Sequence, residues 1–103
     1  MAEKEFAIST AKAFVNDCNA AGLFFDKVLL FGSYANGTTH DWSDIDLLLV
    51  SKQFTRNVFD NLKLYVKVNS KYPIVETHAY PTDYFLQGDG FIEEVLKTAV
   101  EIN

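Results

Sequence analysis

The stretch Gly32-Ser33-Tyr34-Ala35-Asn36-Gly37-Thr38-Thr39-His40-Asp41-Trp42-Ser43-Asp44-Ile45-Asp46 decides how this chain reads. Before it, the apolar run Lys27 to Phe31 ends at a Gly-Ser turn. After it, Asp44 and Asp46 head a second apolar run, Ile45 to Val50. Residues two apart in a strand point to the same side, so the pattern presents both carboxylates to one place. A doubly anionic, oxygen-rich site favours hard cations, Mg²⁺ above all. The Gly-Ser turn adds backbone N–H groups and a hydroxyl, which suit phosphate oxygens. Together these groups describe a site for metal-assisted phosphoryl or nucleotidyl transfer.

With 103 residues, 49% of them hydrophobic and 15% aromatic, the chain can bury one core but not two. One domain spanning residues 1–103 is expected. No apolar run approaches the length of a membrane span. The charged start, Met1-Ala2-Glu3-Lys4-Glu5, lacks the apolar segment of a signal peptide, so cytoplasm is the expected compartment. Cys18 cannot form an internal disulfide because it is the sole cysteine, and its place on a predicted helix face makes it a buried thiol. The net charge of −5 argues against a nucleic-acid partner, whose backbone calls for clustered Lys and Arg. Charge is uneven, however: Lys52, Arg56, Lys63, Lys67 and Lys71 face only Asp60 between residues 52 and 71. That run reads first as the solvated side of an amphipathic helix, and second as a patch for a triphosphate or an acidic partner.

Helical spacing of Ala7, Ile8, Ala11, Phe14, Val15 and Cys18 predicts a helix over residues 3–21, stopped by Gly22. A strand is expected over 24–31, a short helical turn over 34–37, a polar turn over 38–43 and a second strand over 44–51. The unbroken apolar run of that second strand implies burial on both faces. Residues 53–69 read as a helix with one stripe of Phe54, Val58, Phe59, Leu62, Tyr65, Val66 and Asn69, apolar until its last turn. A third strand over 74–79 ends at Pro81, Thr82-Asp83 cap a short helix to Gln87, and Gly88-Asp89-Gly90 is a flexible turn. The last helix is expected over 91–101, with Ile92, Val95, Leu96 and Ala99 on one face. The fold class is α/β (α+β): a small mixed sheet flanked by helices.

Gly-Ser, ten residues and Asp-x-Asp, with Ala35, Gly37, Ser43 and Leu47 also in place, resemble the signature of the DNA polymerase β-like nucleotidyltransferase superfamily. The chain is similar to its small prokaryotic members, the minimal nucleotidyltransferases. The resemblance implies the nucleotidyltransferase fold and transfer of NMP, from ATP or another NTP, to a hydroxyl with release of pyrophosphate. It implies two Mg²⁺ ions, with Mn²⁺ as a substitute, held by Asp44, Asp46 and a third acid, and it implies that Gly32 and Ser33 hold the nucleotide phosphates. It further implies a separate helical partner of the HEPN class in a toxin–antitoxin module, with AMP passed to a tyrosine on that toxin.

Glu76 is the best third acid, because the apolar run Pro73-Ile74-Val75-Glu76 would not otherwise hold one. Many relatives carry Asp there and some carry Glu. Its bland alternative is an exposed edge-strand side chain. Asp83 and Asp89 sit at turns or caps and are poorer candidates. Ser43 reads as structural, His40 as a loop residue and His78 as a hydrogen-bonded strand histidine. Trp42 and Tyr34 could stack on a base or pack against the loop. Apolar surface on the last helix or around Tyr84 and Phe85 would suit a partner, and self-association stays open. The competing function is a binding module that neutralises a partner without turnover, or a transferase acting on a small molecule.

Overall fold

The computed structural model describes residues 3–39 and 43–103; the readings made for His40 and Trp42, and the middle of the polar turn, lie outside the described residues. The elements run α1 (Glu3–Ala20), β1 (Lys27–Phe31), α2 (Ser33–Asn36), β2 (Ile45–Ser51), α3 (Val58–Asn69), β3 (Val75–Pro81), α4 (Thr82–Gln87), α5 (Gly90–Leu96) and β4 (Val100–Glu101). They build the expected α+β fold. The four strands form one mixed sheet in the order β3-β2-β1-β4. β2 and β3 run parallel, which requires a crossover, and α3 supplies it. β1 pairs antiparallel with both β2 and β4.

Two cores sandwich the sheet. Leu47 and Leu49 of β2 face Phe14, Val15 and Cys18 of α1 and Tyr65 and Val68 of α3. Leu48 and Val50 face the opposite way, toward Ile92 and Val95 of α5. The unbroken apolar run of β2 is therefore buried on both faces, as its sequence implies. Cys18 is fully buried, and burial, then the neighbouring Asp17 charge, pushes its thiol up to about 12.

α3 departs most from its sequence reading. It begins at Val58, five residues later than the hydropathy suggests, because Asn57 caps it by accepting from the Phe59 and Asp60 amides. The buried Asn61 holds the preceding loop out of helical geometry: its amide donates to the Thr55 carbonyl and its oxygen accepts from the Thr55 N–H, both at 2.7 Å. The buried face is thus Asn61, Tyr65 and Val68. Val58 and Phe59, assigned to the apolar stripe, are 72% and 75% exposed. A polar residue turned inward for its loop bonds rotates the whole helix relative to its hydropathy pattern.

The C-terminal segment is the second departure. The final helix ends at Leu96, and Val100–Glu101 adds a strand on the β1 edge. Two further backbone bonds extend the pairing, Val28 N–H to the Asn103 carbonyl at 3.1 Å and Ile102 N–H to the Val28 carbonyl at 2.8 Å. An otherwise unpaired sheet edge outweighs the helical spacing of the last residues. Smaller corrections follow the same logic. Phe24 bonds through its backbone to the Gln53 and Ser51 side chains, so β1 starts only at Lys27. Pro81, not Thr82, precedes α4 as its cap residue, and the Thr82 hydroxyl instead donates to Asp26. Asp89 is a cap, accepting from the Ile92 amide, rather than part of a loose turn.

Two alanine substitutions separate the observed packing from the hydropathy reading. Phe14→Ala, at a fully buried site, should destabilise the protein by about 3–5 kcal/mol. Phe59→Ala should stay within about 0.5 kcal/mol. Chemical denaturation measures both, and a large loss at Phe59 would refute the assigned face of α3.

Candidate active site

Strand register brings distant residues into one row. Asp46 of β2 stands opposite Phe31 of β1 on one side and opposite Glu76 of β3 on the other. The parallel β2–β3 pairing therefore places the acid found mid-strand at Glu76 beside the Asp-x-Asp pair. One ligand atom each from Asp46, Glu76 and His78 lies within 4.8 Å of the others. Asp46 is half-buried, whereas the Glu76 side chain is 57% exposed at the sheet's β3 edge. The His78 ring sits 5.3 Å from Phe31 and 5.6 Å from Phe91, and its Nε2 lies 3.6 Å from Glu76 Oε1. Aromatic packing holds this strand histidine beside the Glu76 carboxylate.

Asp44 is the residue before β2 and is exposed. Its charge acts on Asp46, but its carboxylate is not part of the close trio. Burial, first, pushes the Asp46 carboxyl up to about 6; a hydrogen bond with Glu76 and the charges of Glu76 and Asp44 act in the same direction. No Lys or Arg pairs with Asp46 or Glu76 among the described residues. Crowded carboxylates without a cationic side chain, one of them half-buried, are the donor set that a hard divalent cation would satisfy.

Gly32 forms the roof over Asp46. Its φ of 75° lies in the region that L side chains avoid. A Cβ there would fall well inside contact distance of Asp46 Oδ2 and 3.2 Å from Asp46 Cγ. Only glycine lets the turn approach the carboxylate so closely. The Gly32 carbonyl accepts from the Ala35 and Asn36 amides, which starts α2 and leaves the first-turn N–H groups around Ser33 without intrahelical partners. Tyr34 is buried against Phe6 at 6.3 Å and belongs to the core, which favours packing over base stacking. Ser43 is buried, in keeping with a structural role. Asp83 pairs with Arg56 at 3.2 Å and Asp89 caps α5, so neither joins the acids.

A cavity of about 340 Å³ opens beside Gly32, lined by Phe31, Asn36, Phe91, Val95, Lys97 and Thr98 among others. Its size is that of a small-ligand site. The α5 contributors were not legible as site residues, because only the packing of α5 on the sheet brings them to the Gly-Ser turn. Phe91 alone carried a signal, as an aromatic beside a glycine-rich turn.

The sequence profile of the nucleotidyltransferase domain matches residues 14–101, and the chain belongs to that family. A candidate protein adenylyltransferase of Methanocaldococcus jannaschii is 43% identical over 38 residues, which is 37% of this chain and 26% of that protein. The chain thus spans about a quarter of that curated relative. A candidate nucleotidyltransferase from Sulfolobus solfataricus, known from a crystal structure, superposes with a TM-score of 0.66 at 26% identity, over 96% of this chain and 81% of the other. Two toxin–antitoxin structures share the fold. One, with AMP-PNP, gives a TM-score of 0.63 at 19% identity, over 89% of this chain and 72% of the other. The second, a mutant of the MntA–HpeT pair, gives 0.56 at 17% identity, over 93% and 72%.

The site's electrostatics set a pH dependence. Asp46 has a folded-state pKa of about 6, above its ordinary value of 3.8. Its contribution to stability is therefore full below the ordinary value and is lost as pH rises through about 6. Thermal unfolding in chelator should show Asp46→Asn stabilising the metal-free protein at pH 8 but not at pH 4. Equal effects at both pH values would contradict the crowding of charge at this site. Gly32→Ala should cost about 1–3 kcal/mol through its strained φ, with more from the clash with Asp46. Unchanged denaturation would contradict the close approach.

Proposed function

We propose that this chain is a Mg²⁺-dependent adenylyltransferase that passes AMP from ATP to a tyrosine hydroxyl on a helical toxin partner of the HEPN type. The observation that carries the reading is the convergence of Gly32 and Glu76, from two separate segments, on the Asp46 carboxylate. Membership of the nucleotidyltransferase family supports the reaction class. Local similarity to a candidate protein adenylyltransferase and a fold shared with toxin–antitoxin chains support a protein acceptor.

Asp44, Asp46 and Glu76 would hold the metal, with Mn²⁺ able to replace Mg²⁺. Bound there, the divalent ion supplies charge neutralisation at the phosphates and lowers the pKa of the attacking hydroxyl. Gly32 and Ser33 present amide N–H groups and a hydroxyl to the β- and γ-phosphates. The neighbouring cavity accommodates the remainder of the nucleotide. Glu76, the more exposed of the clustered acids, faces the side from which a protein hydroxyl can arrive and accepts its proton.

Incubation with α-³²P-labelled ATP and Mg²⁺, in the presence of the partner, should yield a labelled protein band. The band should vanish with Asp44→Asn and with Asp46→Asn while the fold persists. Glu76→Gln should reduce turnover by about 10²–10⁴-fold and nucleotide binding far less. Full labelling by both Asp variants would sink the metal-site assignment. Nucleotide binding without any transfer would instead identify a non-catalytic binding module or a small-molecule acceptor.

A further inference from the structure

The exposed side of α3 carries several of the large apolar side chains that the fold leaves exposed. Val58, Phe59, Leu62 and Val66 are 72%, 75%, 38% and 44% exposed, and their spacing puts them on one stripe beside the buried Asn61-Tyr65-Val68 face. Lys63 and Lys67 border that stripe, and neither has an ion-pair partner among the described residues. A stripe of this kind on a helix, bordered by two lysines without ion-pair partners among the described residues, suits a complementary helix. The stripe also reaches the β3 edge on which Glu76 lies. Val58 lines two adjoining cavities of about 210 and 240 Å³ against Ala79 and Tyr80 of β3, and the second reaches His78, which neighbours Glu76.

We propose that this face of α3 docks an apolar helix face with acidic flanks on the protein that receives the nucleotide, and so delivers the acceptor hydroxyl to Glu76. The inference rests on the protein-directed reading of the site. Charge selects the occupant. Lys52 and Arg56 are paired with Asp26 and Asp83, but Lys63 and Lys67 of α3 are left without an ion-pair partner among the described residues, and a second copy would bring the same two lysines to the stripe. An acidic partner gains both apolar burial and ion pairing on the same stripe.

The test uses the ¹⁵N-labelled Asp46→Asn chain without nucleotide, so that docking is read independently of transfer. The probes are two synthetic amphipathic helices, alike in their leucine face and flanked by glutamates in one and lysines in the other. The glutamate peptide should bind and shift the amides of residues 58–67, more weakly as salt rises. Phe59→Asp should weaken binding by about tenfold or more, the effect expected of a central aromatic anchor. Lys63→Glu combined with Lys67→Glu should reverse the preference toward the lysine peptide. Unchanged thermal unfolding of these exposed variants would show that the fold is retained. Absence of binding, equal binding of the two peptides, or shifts centred elsewhere would overturn the proposal. So would sedimentation showing a dimer that Phe59→Asp dissociates, since the occupant would then be a second copy. Loss of AMP transfer with docking retained would count against the catalytic reading alone.

Discussion

The close approach of Gly32 to Asp46 is the constraint on which the site depends. It requires a backbone conformation that only glycine adopts readily and a space that any Cβ would fill. The same turn ends β1, opens α2 and covers the carboxylate that pairs across the sheet with Glu76. Burial under that roof, together with neighbouring acids, makes Asp46 hard to ionise. A dense negative site of this kind is unfavourable in the bare protein and favourable once a divalent cation balances it. The fold crowds charge at the position where the proposed reaction would use a metal.

The sheet then divides the labour. Its α1–α3 side carries the larger core, with Phe14, Cys18 and Leu47 fully buried. Its other side carries the acids, the aromatic group of Phe31, His78 and Phe91, and the cavity beside Gly32. Two-sided burial of β2 keeps rigid the strand that presents Asp46. β3, paired on one edge only among the described residues, leaves Glu76 accessible to an incoming group. Rigid support on one side and an open edge on the other suit the protein-directed transfer proposed above.

The departures from the sequence reading share a cause. Hydropathy places Val58, Phe59 and Leu62 inward and Asn61 outward, yet Asn61 is buried because both ends of its amide bond the Thr55 backbone. The helical spacing is expected to run to residue 101, yet after Ala99, whose amide still donates to the Val95 carbonyl, the chain extends because β1 offers an unpaired edge. In each case a backbone hydrogen-bonding demand from elsewhere in the molecule overrides a local apolar pattern. The signals that survived were those written in covalent geometry or in long runs: Gly32, the fully apolar β2 and the helical face of α1.

The sequence by itself determined the residue types of the site. Gly-Ser before a polar turn and Asp-x-Asp heading a buried strand carry their chemistry in their spacing, because a strand alternates sides and a glycine turn permits close approach. It also determined the α+β class, through apolar periodicity. Only the tertiary structure decided which acid joins the pair, because Glu76 reaches Asp46 through a parallel register that depends on the α3 crossover. Only it decided that Phe91, Lys97 and Thr98 flank Gly32, and that the apolar side of α3 faces outward. Those outcomes depend on contacts between segments far apart in the chain, and such contacts leave no period in the sequence.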